Sequence, residues 1–191
     1  MKKWLLFLCA FLLSVVSVHA HVVAGENGFV SGATHPLFGF DHLLAMLAVG
    51  VISVTLTKKI WTLPLVFVLS MVSGGILGIL GISLLGVEYG IVLSVILLGL
   101  AIAFAFKFKE LWAIIVVAIF AVFHGHAHGE EMPQIAMPIL YVLGFVLSTI
   151  FLHLSGILVG LYARQSKVSQ KIVQAGGIAM ASFGVYLLLF V

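Results

Sequence analysis

The stretch "HPLFGFDHLLAMLAVGVISVTLTKK", residues 35–59, decides what kind of protein this is. It opens with His35, Asp41 and His42, runs without charge from Leu43 to Thr57, and ends on Lys58 and Lys59. An ionisable side chain inside a bilayer is costly unless it is paired, so if this run crosses a membrane its carboxylate and imidazoles are functional candidates. The first question is whether it does.

Composition answers it. Of 191 residues, 63% are hydrophobic and only 8% charged, and the mean hydropathy is +1.34. Soluble domains carry about a quarter of their residues as charges. The chain therefore reads as an all-α integral membrane protein. Its formal charge of +3 does not point to nucleic acid, because the nine basic residues stand singly or in pairs between apolar runs and form no binding stripe.

Residues 1–20 read as a cleavable signal peptide. Lys2 and Lys3 form the basic start, 5–18 is an apolar core short for a span, and Val18-His19-Ala20 offers small residues where a signal peptidase cuts. The alternative is a retained first transmembrane helix. With cleavage, the mature chain is 21–191 and begins at His21. The sole cysteine, Cys9, then leaves with the signal, and Leu8 before it spoils a lipobox, so neither a disulfide nor a thiolate ligand is expected.

Behind a Gly-rich lead over 21–34, six apolar spans of roughly 20 residues follow, the length that crosses about 30 Å of hydrocarbon. They run over 36–57, 60–84, 89–106, 111–128, 135–163 and 172–191. Cleavage puts His21 outside, so the loops after spans one, three and five face the cytoplasm. Those loops hold Lys58, Lys59, Lys107, Lys109, Arg164, Lys167 and Lys171, which with Lys2 and Lys3 is every Lys and Arg in the chain. This is the positive-inside pattern without exception. Trp61, Trp112 and Tyr162 flank the same loops, where interfacial aromatics belong. The expected location is the bacterial cytoplasmic (inner) membrane, with both mature termini periplasmic. Asp41 is the one carboxylate left within a span.

Pro36 suits a first helical position, so Thr34 or His35 should cap span one on its outer side. Asp41 then shares a face with Ala45 and Ala48, small residues that permit close helix approach, and should look into the bundle. His42 and Met46 share the adjacent face. Imidazole and carboxylate together suit a borderline divalent cation such as nickel, cobalt or zinc. The pair alone is equally readable as a structural hydrogen bond or a proton relay.

A second constellation, "FHGHAHGEEMP" over 123–133, ends span four on the same outer face. If helical, it aligns His124 and His128, which are four apart, the spacing of two ligands to one metal. If extended, it aligns His124, His126 and His128. On its own this could be a metal-scavenging or pH-sensing loop. Joined to the first cluster, it makes a site in which Asp41 and one glutamate, Glu131, neutralise a divalent ion while His42, His124 and His128 add bonds without charge.

These two patterns, HxxxxxDH at His35, Asp41 and His42, and FHGxAHGxE at Phe123, His124, Gly125, Ala127, His128, Gly129 and Glu131, resemble those of the HupE/UreJ family of hydrogenase- and urease-associated membrane proteins. The resemblance covers essentially the whole chain. It implies a nickel permease, or a cobalt permease in some members, with His35, Asp41, His42, His124, His128 and Glu131 as the functional set. His126 and Glu130 fall at variable positions of the pattern. No enzyme activity and no permanently bound cofactor are expected; Ni2+ or Co2+ is the cargo.

The residues agree about energy. There is no G-x-x-x-x-G-K-[ST] phosphate loop, so no ATPase partner is evident from this chain. Facilitated diffusion down the membrane potential and proton exchange remain. Further candidates are Met46, Glu130, His126, His21 as an N-terminal chelate, and His153 on span five, which is either an inner ligand or a hydrogen-bonded bundle residue. Gly74 with Gly78, and Gly156 with Gly160, read as helix-packing notches. The rival classes are a membrane-embedded zinc hydrolase, which would keep an open position for water, and a metal sensor or accessory protein without flux.

Overall fold

A computed structural model describes residues 28–107, 109–131 and 137–191. The expected signal peptide, Cys9, His21, and the loop residues between spans four and five therefore lie outside the described residues. Among the described residues all regular structure is helical: α1 (Gly28–Phe38), α2 (Phe40–Leu56), α3 (Thr62–Ile79), α4 (Val87–Ala103), α5 (Glu110–Glu131), α6 (Pro138–Ala163) and α7 (Lys167–Leu187).

The helices expose apolar side chains and hide small and polar ones. Leu65, Leu69 and Ile76 of α3 and Leu147, Phe151 and Leu158 of α6 point outward, while Ser53, Ser94 and Thr149 are fully buried. Water would not tolerate so continuous an apolar exterior, and hydrocarbon requires it. The chain is a multi-pass helical membrane protein. Helices α3, α5 and α6 are each long and apolar enough to cross a bilayer, and the bent α1–α2 pair makes a fourth span if counted as one. Helix α4 has 17 residues, about 25 Å and so just short of the hydrocarbon thickness. Helix α7 has 21, but opens on Lys167, Gln170 and Lys171.

The first span differs from its sequence reading. Pro36 does not start a helix but lies inside α1, and the Gly-rich lead read as preceding the first span is helical from Gly28. The reason is tertiary. A Cβ on Gly32 would collide with the backbone of Tyr141, and one on Gly144 with that of Phe29 and Ala33, so α1 and α6 are in backbone contact through those glycines. Ser148 adds a hydrogen bond to the Ala33 carbonyl, 2.6 Å. The break comes instead at Gly39 (φ −78°, ψ 105°), where α1 and α2 meet at 77°. Backbone bonds bracket the bend, from Gly39 N–H to the His35 carbonyl (3.1 Å) and from Leu43 N–H to the Gly39 carbonyl (2.8 Å).

The second span also ends early, at Ile79. Gly81 takes a left-handed conformation (φ +70°), and Ile82 N–H reaches back to the Leu77 carbonyl at 3.1 Å, closing the helix with a Schellman motif.

Glycine sets the pairing of the remaining helices. Helix α5 packs on α3, α6 on α2, and α7 on α4. A Cβ on Gly74 or Gly78 would strike the carbonyls of Val122 or His126, and one on Gly125 or Gly129 those of Met71 or Gly75. Gly50 and Gly156 interlock α2 and α6 in the same way. The basic loops gather at one end of the bundle. Lys58 N–H donates to the Glu110 carboxylate at 3.3 Å, and the Arg164 guanidinium donates to the Val54 carbonyl.

Candidate metal centre

At the other end, the break at Gly39 turns His35 and the first residues of α2 over the same spot. A Cβ on Gly39 would lie 3.3 Å from both Asp41 Oδ1 and His42 Nδ1, so the absent side chain leaves room for this pair. His42 donates twice to one carboxylate oxygen: its backbone N–H lies 2.8 Å and its ring Nδ1 2.6 Å from Asp41 Oδ1. With Nδ1–H committed to the carboxylate, a neutral His42 ring presents its lone pair at Nε2. This is the way an outer carboxylate orients a metal-binding imidazole.

Helix α5 is continuous to Glu131, so the helical alternative holds, and His124 and His128 lie on one face. The His42 ring centroid lies 4.3 Å from that of His128 and 4.9 Å from that of His124, and His35 is 4.7 Å from His128. His35, Asp41, His42, His124 and His128 thus come together from three helices. His124 Nδ1 donates to the Phe120 carbonyl at 2.9 Å, which leaves its lone pair on Nε2. That atom, and both nitrogens of His128, have no hydrogen-bond partner among the described residues. Each such buried atom costs about 1–3 kcal/mol. A cluster of this kind is held together by packing and offers nitrogen lone pairs in return.

The imidazole planes cross at 55–89°. Among the described residues, no three His, Cys, Asp or Glu side chains converge closely enough to enclose an ion. Ring rotation is needed to close a coordination sphere.

The other predicted residues fall as follows. His126 faces away: its Nε2 donates to the Ile82 carbonyl at 2.7 Å, and its Nδ1 lies 3.4 Å from Glu130 Oε2. Helical geometry separates it from its neighbours, since residues two apart on a helix do not share a face. Glu130 is half-exposed beside it. Met46 is fully buried in the apolar core. His153 is buried deeper along α6. The backbone of Glu131 ends α5, while its side chain, like His21, lies outside the described residues.

Three aromatic residues escaped the sequence reading. The Phe145 ring lies 4.1 Å from that of His128, tilted by 58°, Tyr141 lies 6.4 Å from His35, and Phe67 is 5.7 Å from His124. They wall the cluster with apolar surface. Tyr141 and Phe145 are four apart, a helical stripe visible in the sequence once α6 is assumed; Phe67 gave no local signal. Phe123, part of the motif, packs instead on Gly90 of α4.

A family model described as "HupE / UreJ protein" matches residues 9–187. The chain is 45% identical over 172 residues to Protein HupE of Rhizobium leguminosarum bv. viciae, an alignment spanning 89% of each chain. No solved structure matches it.

Proposed function

The chain belongs to the HupE/UreJ family, and on that premise we propose that it is a permease for a divalent transition-metal ion. Nickel is the first candidate and cobalt the second, carried from periplasm to cytoplasm across the bacterial inner membrane to supply hydrogenase or urease maturation. The α1–α2 pair and α3 to α7 make six crossings, with both mature termini periplasmic. The protein converts no substrate.

One observation carries this reading: the ring of His42, oriented by Asp41, clusters with the rings of His124 and His128 at the end of the bundle opposite the basic loops. Neutral nitrogen donors backed by a carboxylate suit a borderline divalent cation. Asp41 and Glu131 together match its charge, so the ion sheds water without leaving a large residual field. Asp41 serves His42 first, holding the tautomer whose Nε2 binds.

The driving force needs no nucleotide. A potential of 100 mV, negative inside, is worth about 2.3 kcal/mol per charge and about twice that for a divalent ion. A permease must bind its cargo well enough to load and weakly enough to release.

The test is uptake of radiolabelled nickel and cobalt into sealed vesicles containing only this protein, with an imposed negative-inside potential. Potential-dependent accumulation is expected. A protein that retains stoichiometric metal through purification and moves none is a sensor or a metalloenzyme, and refutes the proposal.

A further inference from the structure

Beneath the cluster, two helix faces meet along one line. On α6, Tyr141, Phe145, Thr149 and His153 recur every four residues and form a stripe about 18 Å long at helical rise. On α3, Phe67 and Met71 are four apart and face it: Thr149 Oγ1 lies 3.9 Å from Met71 Sδ, and the Phe67 ring centroid is 5.0 Å from that of His153. Phe67 also touches His124. Its ring stands between an imidazole of the cluster and one farther in.

His153 is 2% exposed, and neither of its ring nitrogens has a hydrogen-bond partner among the described residues. A histidine retained for bundle architecture would hold such a bond, because buried polar groups nearly always do. Thr149 does not supply it: its hydroxyl donates to the Phe145 carbonyl of its own helix at 2.9 Å and makes no bond to His153. The backbone around His153 is tightly set: Gly50 abuts its carbonyl, and Gly156 abuts Leu47.

We propose that His153 is a second, inner station for the transported cation, reached from the outer cluster past the ring of Phe67. The inference rests on the permease reading. His153 lies about 15 Å before the inner end of α6, so it divides the dehydrated path. A neutral nitrogen donor there offers the ion a stop that is weaker than the outer cluster, as stepwise conduction requires. Phe67, Met71, Thr149 and His153 are all essentially buried, so the path is packed shut at rest and the ring of Phe67 must turn for the ion to pass.

The experiment compares nickel uptake into sealed proteoliposomes by the wild type, His153→Leu and His153→Cys, the last in a Cys9→Ser background, with Asp41→Ala as a marker for the permease reading. His153→Leu is expected to keep nickel binding at the outer cluster while losing about tenfold in maximal uptake. His153→Cys restores a donor and should recover most of that loss, and nickel should slow alkylation of the introduced thiol. That protection assay reads the site even if His153→Leu fails to fold. Wild-type uptake by His153→Leu, equal loss in the Leu and Cys variants, or alkylation indifferent to nickel would each overturn the inner station. If the wild type transports and Asp41→Ala does not, the permease reading survives that failure; a wild type without flux removes both.

Discussion

The ring of His42, in the first turn of α2, lies 4.3 Å from the ring of His128, near the end of α5. Two segments far apart in the chain are thereby joined at one end of a bundle whose basic loops sit at the other. The pairing makes each motif intelligible: α2 supplies an imidazole with its orienting carboxylate, and α5 supplies two more on a single helical face.

Asp41 is expected to matter through both charge and geometry. Asp41→Ala should lower nickel affinity by about 10–100-fold, the usual cost of losing the group that orients a metal-binding histidine. Asp41→Asn keeps a carbonyl oxygen to accept from His42 Nδ1 and should fall between the two. Titration calorimetry on purified protein checks this ordering, and equal losses in both variants would mean that the carboxylate acts by charge alone.

His126 is expected to be dispensable for the ion. His126→Ala loses the bond to the Ile82 carbonyl, worth about 1 kcal/mol, and should lower thermal stability modestly while leaving nickel affinity and uptake unchanged. A collapse of affinity would show that the ring reaches the site after all.

Gly125, between His124 and His126, is expected to be architectural. A Cβ there would drive into the Met71 carbonyl and lie 2.9 Å from the Gly75 amide nitrogen, so Gly125→Ala should force α3 and α5 apart at a cost of about 1–3 kcal/mol. Uptake should fall with stability. Gly176→Ala is the control: nothing lies within 4 Å of its added Cβ, and the helix propensity of alanine should leave stability unchanged or raise it by about 0.5–1 kcal/mol. Thermal unfolding in detergent reads both.

Much of this was legible in the sequence because a bilayer imposes simple rules. Apolar run length, the confinement of Lys58, Lys59, Lys107, Lys109, Arg164, Lys167 and Lys171 to alternate loops, and the scarcity of charge within the runs all follow from the cost of placing polar groups in hydrocarbon. The helix around Pro36 was not legible, since it depends on Gly32 meeting the backbone of Tyr141, a contact far away in the chain. The same holds for the early end of α3, where glycine at position 81 outweighs the apolar residues that follow it. Within the site, four-residue spacing anticipated the alignment of His124 with His128, but the two conformations of that stretch could only be separated once α3 was seen to pack on its glycines. Phe67 was invisible for a further reason: an apolar side chain in an apolar helix carries no local mark of standing between two imidazoles.

The most direct measurement is a double-mutant cycle on nickel binding with His42→Ala, His128→Ala and the pair together. If one cation is shared by α2 and α5, either single change should remove most of the affinity and the second should add little, giving a coupling energy of about 1–3 kcal/mol. Losses that simply add would mean that the two imidazoles serve separate ions, and the shared site would be contradicted.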